Sequence, residues 1–249
     1  MKTHNFIIAN GDTDSISIQN EDGSFISKER RIELLKELND LSPSGLVWED
    51  DGYYESVLIL KAKNYALYDG TKLKIKGSAL KATLKEKALQ EFINRMIKSL
   101  LDLEAISPID LYEEYVKEIL TLKDITRWTT KKTITDKVLD PKRTNEQRVL
   151  DAIENIDVQE GDKVRLYFTP DGNVKLEQNW NNDHDINKLL EKLYKTLEVF
   201  DTVINIDNFL NYKLKRNKDK LLKFNNTNDI INITTKGNDE INTEYKDVI

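Results

Sequence analysis

The strongest constraint on the fold is a short segment near the start of the chain, residues 6–18, which reads FIIANGDTDSISI. Apolar residues on both sides of a Gly-Asp-Thr-Asp centre predict two β-strands joined by a tight turn. Asn10-Gly11 is the predicted turn, because this pair accepts positive φ and favours two-residue hairpin loops. The twofold alternation of a strand then places Asp12 and Asp14 on one face at the hairpin tip.

This pair of acidic residues has two interpretations. Two neighbouring carboxylates repel each other, and a protein that keeps such a pair commonly places a cation between them. Mg²⁺ takes one or two carboxylates and completes its shell with water and substrate phosphates, so its chemistry fits Asp12 and Asp14. The alternative is a hairpin tip that binds nothing, because Asp is also a common turn residue. An EF-hand loop is excluded, since its sixth position here is Ser17 instead of glycine.

Positive charge is concentrated in two blocks, although the chain of 249 residues has a formal net charge of −6. Residues 61–87 hold eight lysines against two acidic residues, and residues 120–150 hold eight basic residues against four acidic ones. Such blocks can bind phosphates, because acidic surface more than a Debye length of about 10 Å away does not cancel them. A solvated lysine face is the alternative from charge alone.

The absence of cysteine excludes disulfides, thiolate metal sites and a cysteine nucleophile. Only two histidines, His4 and His184, leave little scope for a histidine metal site or a catalytic triad. No apolar run reaches the roughly 18 residues that a transmembrane helix needs, and the first residues lack the apolar core of a signal peptide. We therefore expect a cytoplasmic protein with no membrane partner.

The hydrophobic periodicity predicts an α+β chain. A helix over 27–41, capped by Ser27, is expected to bury an apolar stripe that includes Ile32, Leu34 and Leu41. Strands are predicted at 46–49 and 53–60, followed by a hairpin of 64–68 and 72–75 around Asp69-Gly70. In that hairpin one face is basic, with Lys72, Lys74 and Lys76, and the other is apolar.

Farther along the chain the period changes to that of helices. Helices are predicted at 85–103, 108–122, 145–153 and 186–200, with an extended segment at 124–138 and a hairpin of 162–168 and 174–177. From residue 225 the chain is rich in Asn, Thr and charge, which is typical of a flexible tail.

Three segments carry a resemblance to a known family. The segment Gly-Asp-Thr-Asp-Ser at 11–15 resembles motif C of the family B DNA polymerases. Lys-Ala-Lys-Asn-Tyr-Ala at 61–66 resembles their Lys-x-Tyr motif, and Lys-Ile-Lys-Gly at 74–77 resembles their Lys-Gly element. Three motifs in this order are more specific than any one of them. The similarity extends over roughly residues 6–218, and the nearest resemblance is to viral and phage members.

The resemblance implies a domain organisation. Residues 1–84 would form the C-terminal part of the polymerase palm, built from antiparallel β-hairpins with a helix. Residues 85–222 would form a mostly helical thumb with a β-hairpin, and residues 223–249 a flexible polar tail.

The resemblance also implies roles for single residues. Asp12 would be a direct ligand of catalytic Mg²⁺, and Asp14 a weaker or indirect one, in two-metal nucleotidyl transfer. Thr13 would contact the deoxynucleoside triphosphate. The residues implied to contact primer-template DNA are Lys63, Tyr65, Lys76, Lys81, Lys131, Lys132 and Arg143.

Two parts of the family pattern are not found in the sequence, namely motif A with its further aspartate and the basic helix of motif B. The resemblance therefore implies that this chain has no polymerase activity alone. It would be the C-terminal piece of a split polymerase, completed by an N-terminal chain that carries the exonuclease, motif A and the fingers. The hairpin at 6–18 would then present an open apolar edge. The alternatives are a non-catalytic palm-thumb remnant that binds duplex DNA, and an unrelated α+β protein.

Overall fold

The computed structural model describes residues 6–12, 14–77, 80 and 86–209, with only the backbone described at Asp12. The chain forms two compact units, residues 1–77 and residues 78–249. The predicted α+β class is confirmed, since antiparallel sheets and six α-helices occur within the described residues. No helix in these ranges is long and apolar enough to cross a membrane. The predicted domain limit at residue 84 and the predicted tail at 223–249 lie outside the described residues.

The first unit begins with a two-stranded hairpin of β1 (Phe6–Asp12) and β2 (Ser15–Asn20). Asp12 lies opposite Ser15, and Asp14 is a turn residue, so the turn lies between β1 and β2. The predicted turn at Asn10-Gly11 is wrong, because both residues belong to β1.

The hairpin register gives the physical reason. Ile8 lies opposite Ile18, and the pairing shifts between Ile8 and Asn10, which leaves Ala9 as an extra residue. A turn at Asn10-Gly11 would leave Ile16 and Ile18 beyond the end of β1, whereas the observed register pairs both of them. The ladder of the observed register therefore outweighs the local turn preference.

Helix α1 (Lys28–Leu41) begins where the sequence predicts. The Ser27 hydroxyl oxygen accepts a hydrogen bond from the Arg30 N–H at 3.2 Å, which caps the first turn. The predicted burial of its apolar stripe is wrong in part, because Leu34 is buried while Ile32 is 60% exposed and Leu41 is 84% exposed. The helical period marks an apolar face, but burial depends on which element packs against it.

The rest of the first unit is a three-stranded antiparallel sheet of β3 (Ser56–Lys61), β4 (Asn64–Tyr68) and β5 (Leu73–Lys76), with β4 in the centre. The predicted hairpin around Asp69-Gly70 is confirmed, and a carboxylate oxygen of Asp69 accepts the Lys72 N–H at 2.7 Å. The predicted strand at 46–49 is wrong, because residues 46–54 form no regular element.

Large apolar side chains are unusually exposed in this unit. Among the described residues, those more than half exposed all belong to it: Ile8, Phe25, Ile32, Leu41, Leu46 and Val47. In the second unit the most exposed one is Leu139, at 44%.

The second unit contains five helices and three strands within the described residues. In chain order these are α2 (Lys87–Leu100), α3 (Pro108–Leu120), β6 (Thr130–Thr133), α4 (Asp136–Leu139), α5 (Thr144–Ile153), β7 (Lys163–Phe168), β8 (Val174–Leu176) and α6 (Ile186–Leu197). The four predicted helices and the predicted second hairpin are confirmed, with ends displaced by a few residues. In the segment 124–138 the predicted extended chain forms a strand in β6, with extended backbone also at Thr129 and Thr135, whereas residues 136–138 belong to α4.

Helices α2, α3 and α6 pack on one another around fully buried side chains. Phe92 of α2 meets Tyr115 of α3 edge to face, with ring centroids 5.1 Å apart. Tyr115 in turn meets the buried Trp128, whose indole N–H donates to Glu118 at 2.8 Å. This aromatic cluster is the centre of the core of the helical part.

The strands β6, β7 and β8 form an antiparallel sheet with β7 in the centre. One face of this sheet packs against α4 and α5 around Ile134, Val138, Val149, Ile153, Val164, Leu166 and Leu176. The other face is free of this core, because consecutive residues of a strand point to opposite sides.

A buried carboxylate links the helices to this sheet. Glu86, the residue that precedes α2, is 5% exposed, contacts the ammonium of Lys192 on α6 and accepts a hydrogen bond from the Thr130 hydroxyl at 2.7 Å. Burial acts to raise the pKa of Glu86, but the charge of Lys192 and the hydrogen bonds from Lys192 and Thr130 outweigh it, so the pKa lies below its ordinary value.

Candidate functional site

The two candidate aspartates lie at the tip of the hairpin, and Asp14 lies in the turn and not in β2, so the strand alternation used to predict a shared face does not apply to it. Asp12 is the last residue of β1, and Asp14 is an exposed turn residue before β2. Thr13 and the side chain of Asp12 lie outside the described residues. Elsewhere in the described ranges, no three Asp, Glu, His or Cys side chains gather in a way that could hold a metal ion.

The next candidate residues lie at the turn between β3 and β4. Lys61 pairs with Asn64, so Ala62 and Lys63 form the loop. Lys63 is exposed and has φ of 63°, a left-handed conformation that is unfavourable for a residue with a long side chain. Tyr65 is only 9% exposed in the central strand. The structure thus presents Lys63 at the surface and uses Tyr65 largely in packing.

The two lysine-containing motifs form one structural element. Tyr65 of β4 lies directly opposite Lys76 of β5. The residue after Lys76 is Gly77, with φ of 114°, and its backbone packs on the loop of the first motif. A Cβ atom at position 77 would clash with the side-chain oxygen of Asn64 and lie 2.6 Å from the Lys63 carbonyl oxygen. The loop of the first motif and the end of β5 are therefore in contact, although they are 11 or more positions apart in the chain.

This element presents basic side chains on the strand β5. Lys74 and Lys76 are exposed and alternate with the half-buried Leu73 and Ile75, as the sequence predicts. The ammonium of Lys74 donates to the Tyr54 hydroxyl at 3.4 Å, and this hydrogen bond raises the pKa of Lys74. Lys81, a further predicted DNA contact, lies outside the described residues.

In the second unit the structure separates two candidates that adjoin in sequence. Lys131 of β6 lies opposite Arg165 of β7 and is exposed, whereas Lys132 lies opposite Val164 on the core side and is half-buried. Arg143 is exposed and precedes α5. The sheet brings Lys131 and Arg165 together, and no described contact joins Arg143 to them.

Three exposed cations were missed by the reading of the sequence. They are Lys163, Arg165 and Lys175, which lie on the same side of the β6–β7–β8 sheet as Lys131. A usable signal was present, because Lys163-Val164-Arg165-Leu166 alternates basic and apolar residues with the period of a strand.

The comparisons with known proteins point to a fold. Over 80% of its length the chain is similar to the structure of the family B DNA polymerase from the hyperthermophilic archaeon Pyrobaculum calidifontis, with a TM-score of 0.57 and 18% sequence identity. The chain shares the fold of part of a DNA polymerase. It spans 27% of the archaeal polymerase chain. No protein-family model matches the sequence, and no curated protein sequence matches it.

The fold similarity agrees with the kinds of structure that the resemblance implies. Both the partial palm of antiparallel hairpins with a helix and the mostly helical thumb with a hairpin are types of structure that the chain contains. The identity of 18% limits the comparison to the fold, so the roles of single residues are taken up below as proposals.

Proposed function

We propose that this chain supplies the motif C hairpin and the thumb of a family B DNA polymerase. The observation that carries the proposal is that three segments resembling the motifs of this family occur in order within a chain that shares the fold of part of such a polymerase. The close packing of Gly77 on the Lys63–Asn64 loop supports it, because it turns two of these segments into one site.

Asp12 and Asp14 would hold Mg²⁺ at the hairpin tip. Hard carboxylate oxygens suit this ion, and the exposed position of Asp14 leaves room for water and a triphosphate beside it. Bound Mg²⁺ would stabilise the negative charge that develops on the phosphoryl oxygens. Two carboxylates are too few for two ions, so further ligands have to come from elsewhere, and Thr13 would contact the incoming nucleotide.

The element formed by the two lysine motifs would lie against the primer-template duplex. Lys63 and Lys76 are exposed cations at its surface, and Lys81 follows in the chain. Contacts from lysine to phosphate oxygens position a duplex without reading its sequence, as a polymerase requires. Tyr65 would steady this element from within, because it is nearly buried.

A second polypeptide would complete the enzyme. It would carry the exonuclease, motif A and the fingers, and the chain described here would be inactive without it. Exposed apolar residues of the first unit support this, namely Ile8, Leu41 and Val47. A second chain that covered them would remove their apolar surface from water. An isolated two-stranded hairpin such as β1–β2 is itself only marginally stable. The proposal further assigns the chain to viral or phage replication in the cytoplasm of a host cell.

A non-catalytic module that binds duplex DNA is the second candidate, and the exposed cations of β5 and β7 favour it equally. The substitutions Asp12→Asn and Asp14→Asn separate the two. In an assembly reconstituted with the second polypeptide, we expect D12N to abolish primer extension and D14N to reduce it by roughly 10- to 100-fold. DNA binding should persist in both variants.

Asp40→Asn is the matched control, because Asp40 is an exposed aspartate of the same unit outside the site. If D12N and D14N support as much primer extension as D40N, the catalytic role is ruled out and the non-catalytic module is favoured.

A further inference from the structure

A β-bulge at Ala9 decides which face of the first hairpin each residue of β1 occupies. The register before the bulge pairs Ile8 with Ile18, and the register after it pairs Asn10 with Ser17. Directly opposed residues share a face, and neighbours on one strand point to opposite faces. Ile8 and Asn10 therefore lie on opposite faces, although residues two apart in a regular strand would share one. The bulge redirects β1 from Asn10 onward.

This change of face collects polar residues near the hairpin tip. Asp12 lies opposite Ser15, and the register places both positions on the face of Asn10 and Ser17. We call this the polar tip face, and every side chain on it contains oxygen: Asn10, Asp12, Ser15 and Ser17. The opposite face is apolar, with isoleucines at positions 8, 16 and 18. Without the bulge, Asn10 and Asp12 would lie on the apolar face.

The side chain of Asn10 is available to a ligand. It is half-buried, and within the described part of the chain neither its amide nor the hydroxyl of Ser17 opposite it makes a hydrogen bond. Partly buried polar groups are commonly hydrogen-bonded. Asparagine is also depleted in β-strands, so strand propensity does not account for its presence here. A ligand at the polar tip face would give the amide the partner that the fold does not.

The spacing along β1 indicates how Asn10 could reach an ion held by Asp12. Residues two apart in a strand are separated by about 7 Å. Two oxygens bound to one Mg²⁺ ion are at most about 4 Å apart, because each lies about 2.1 Å from the ion. Asn10 is therefore placed to contact a water molecule bound to the ion instead of the ion itself. Mg²⁺ keeps several water ligands in protein sites, so such a water is available.

We propose that Asn10 is a positioning residue of the metal site, whose amide oxygen accepts a hydrogen bond from a water ligand of Mg²⁺. The Ser17 hydroxyl would accept from the amide nitrogen and so direct the amide oxygen to this water. The inference rests on the proposed function and deepens it, since it adds a neutral group to the carboxylates of Asp12 and Asp14. A neutral group strengthens the site without adding to the repulsion between carboxylates.

The test measures metal binding by the full chain with Mn²⁺ as the probe, since free Mn²⁺ is quantified by electron paramagnetic resonance. We expect Asn10→Leu to weaken Mn²⁺ binding by about 10-fold, as is typical when a group that acts through a metal ligand is removed. Ser17→Ala should weaken it by about 3-fold, because the amide stays but loses its orientation. Asn10→Asp should tighten it by about 3-fold or more, because it keeps an acceptor oxygen and adds a negative charge.

Gln19→Leu is the matched control. Gln19 has the same amide group on the same face of the hairpin and is exposed. It lies four residues along β2 from Ser15, the partner of Asp12, which is about 13 Å. Q19L should keep the wild-type affinity, and D12N should abolish binding. Thermal unfolding of every variant shows whether the fold is retained. The opposite changes in N10L and N10D are the decisive result, because a merely structural role of Asn10 would not tighten binding in N10D.

Three results would overturn the inference. The first is wild-type affinity in N10L while D12N loses binding, and the second is equal weakening in N10L and either N10D or Q19L. The third is Mn²⁺ binding that is absent in the wild type or unchanged in D12N. Primer extension by the reconstituted assembly separates this from failure of the proposed function. Extension that D12N abolishes would support the polymerase proposal even if Asn10 plays no part, whereas absent extension with the expected Mn²⁺ affinities would contradict the polymerase proposal alone.

Discussion

Gly77 packs so closely against Asn64 that a Cβ atom at position 77 would overlap the side-chain oxygen of Asn64. The φ of Gly77, 114°, is a conformation that residues with side chains rarely adopt. This contact joins the loop after β3 to the end of β5. The lysines on either side of it, Lys63 and Lys76, are thereby held in a fixed relation.

We expect Gly77→Ala to destabilise the first unit by about 2–4 kcal/mol, because it adds a clash to an unfavourable φ. Denaturant unfolding measures the loss, and hydrogen exchange of β4 and β5 locates it. Gly52→Ala is the matched control, since Gly52 has a similar φ of 124° with nothing within 4 Å of a Cβ atom. Equal losses in the two variants would show that the contact with Asn64 contributes nothing.

Lys63 should show opposite effects on stability and on DNA binding. Its left-handed backbone costs about 1 kcal/mol relative to glycine, so Lys63→Gly should stabilise the chain by about that amount. The same change removes an exposed cation and should weaken duplex binding and lower its salt slope. Unfolding and anisotropy measurements on one preparation give both values. Weaker DNA binding without a gain in stability would contradict the backbone strain assigned to Lys63. A gain in stability with unchanged DNA binding would contradict the DNA contact of Lys63.

Glu86 makes the stability of the second unit dependent on acidic pH. Its folded-state pKa lies below the ordinary value of 4.5, so its contribution is fully present above pH 4.5 and is lost as the pH falls through the lowered pKa. Glu86→Gln should cost about 2 kcal/mol at pH 7, because Lys192 loses its buried partner. The difference between wild type and E86Q should shrink below pH 4.5.

Thermal unfolding between pH 3 and pH 7 measures this difference. Glu113→Gln, at an exposed position on α3, serves as the control and should change stability by less than about 0.5 kcal/mol. The double variant E86Q/K192M should recover part of the loss, since it removes the unpaired ammonium as well. A difference that stays constant across this pH range would contradict the role assigned to the Glu86 carboxylate.

Ile8 should matter for association and not for folding. It is 70% exposed on β1, so Ile8→Lys should change the free energy of unfolding by less than about 0.5 kcal/mol. The same change should reduce association with the second polypeptide and reduce self-association of the isolated chain, both measurable by sedimentation velocity. Val203→Lys places the same residue on the second unit and should leave association unchanged. Loss of association in both variants would indicate a general effect of charge.

The elements predicted best are those whose signals are local. The hairpin around Asp69-Gly70 and the start of helix α1 at its Ser27 cap carry turn and capping residues that act within a few positions. The turn of the first hairpin was predicted wrongly because the pairing of Ile8 with Ile18 depends on residues ten positions apart. The exposure of Leu41 could not be predicted from the helical periodicity of the sequence, because burial depends on which element packs against that face of α1.

The same distinction holds for the candidate site. The basic face of β5 follows from alternation alone, and the sequence predicts it. The closeness of Gly77 to Asn64 and of Lys131 to Arg165 depends on strand register across a sheet, for which the sequence has no local signal. The predicted pair of Lys131 and Lys132 was divided for a different reason, because neighbouring residues of one strand point to opposite sides.

The most direct measurement is primer extension with Mg²⁺ and the four deoxynucleoside triphosphates, run on the assembly that co-purifies with this chain from its native source beside the chain alone. We expect extension by the co-purified assembly, its loss when D12N replaces the wild-type chain, and none by the chain alone. An assembly that binds the duplex in a salt-dependent manner but extends no primer would contradict the polymerase function and leave a DNA-binding module.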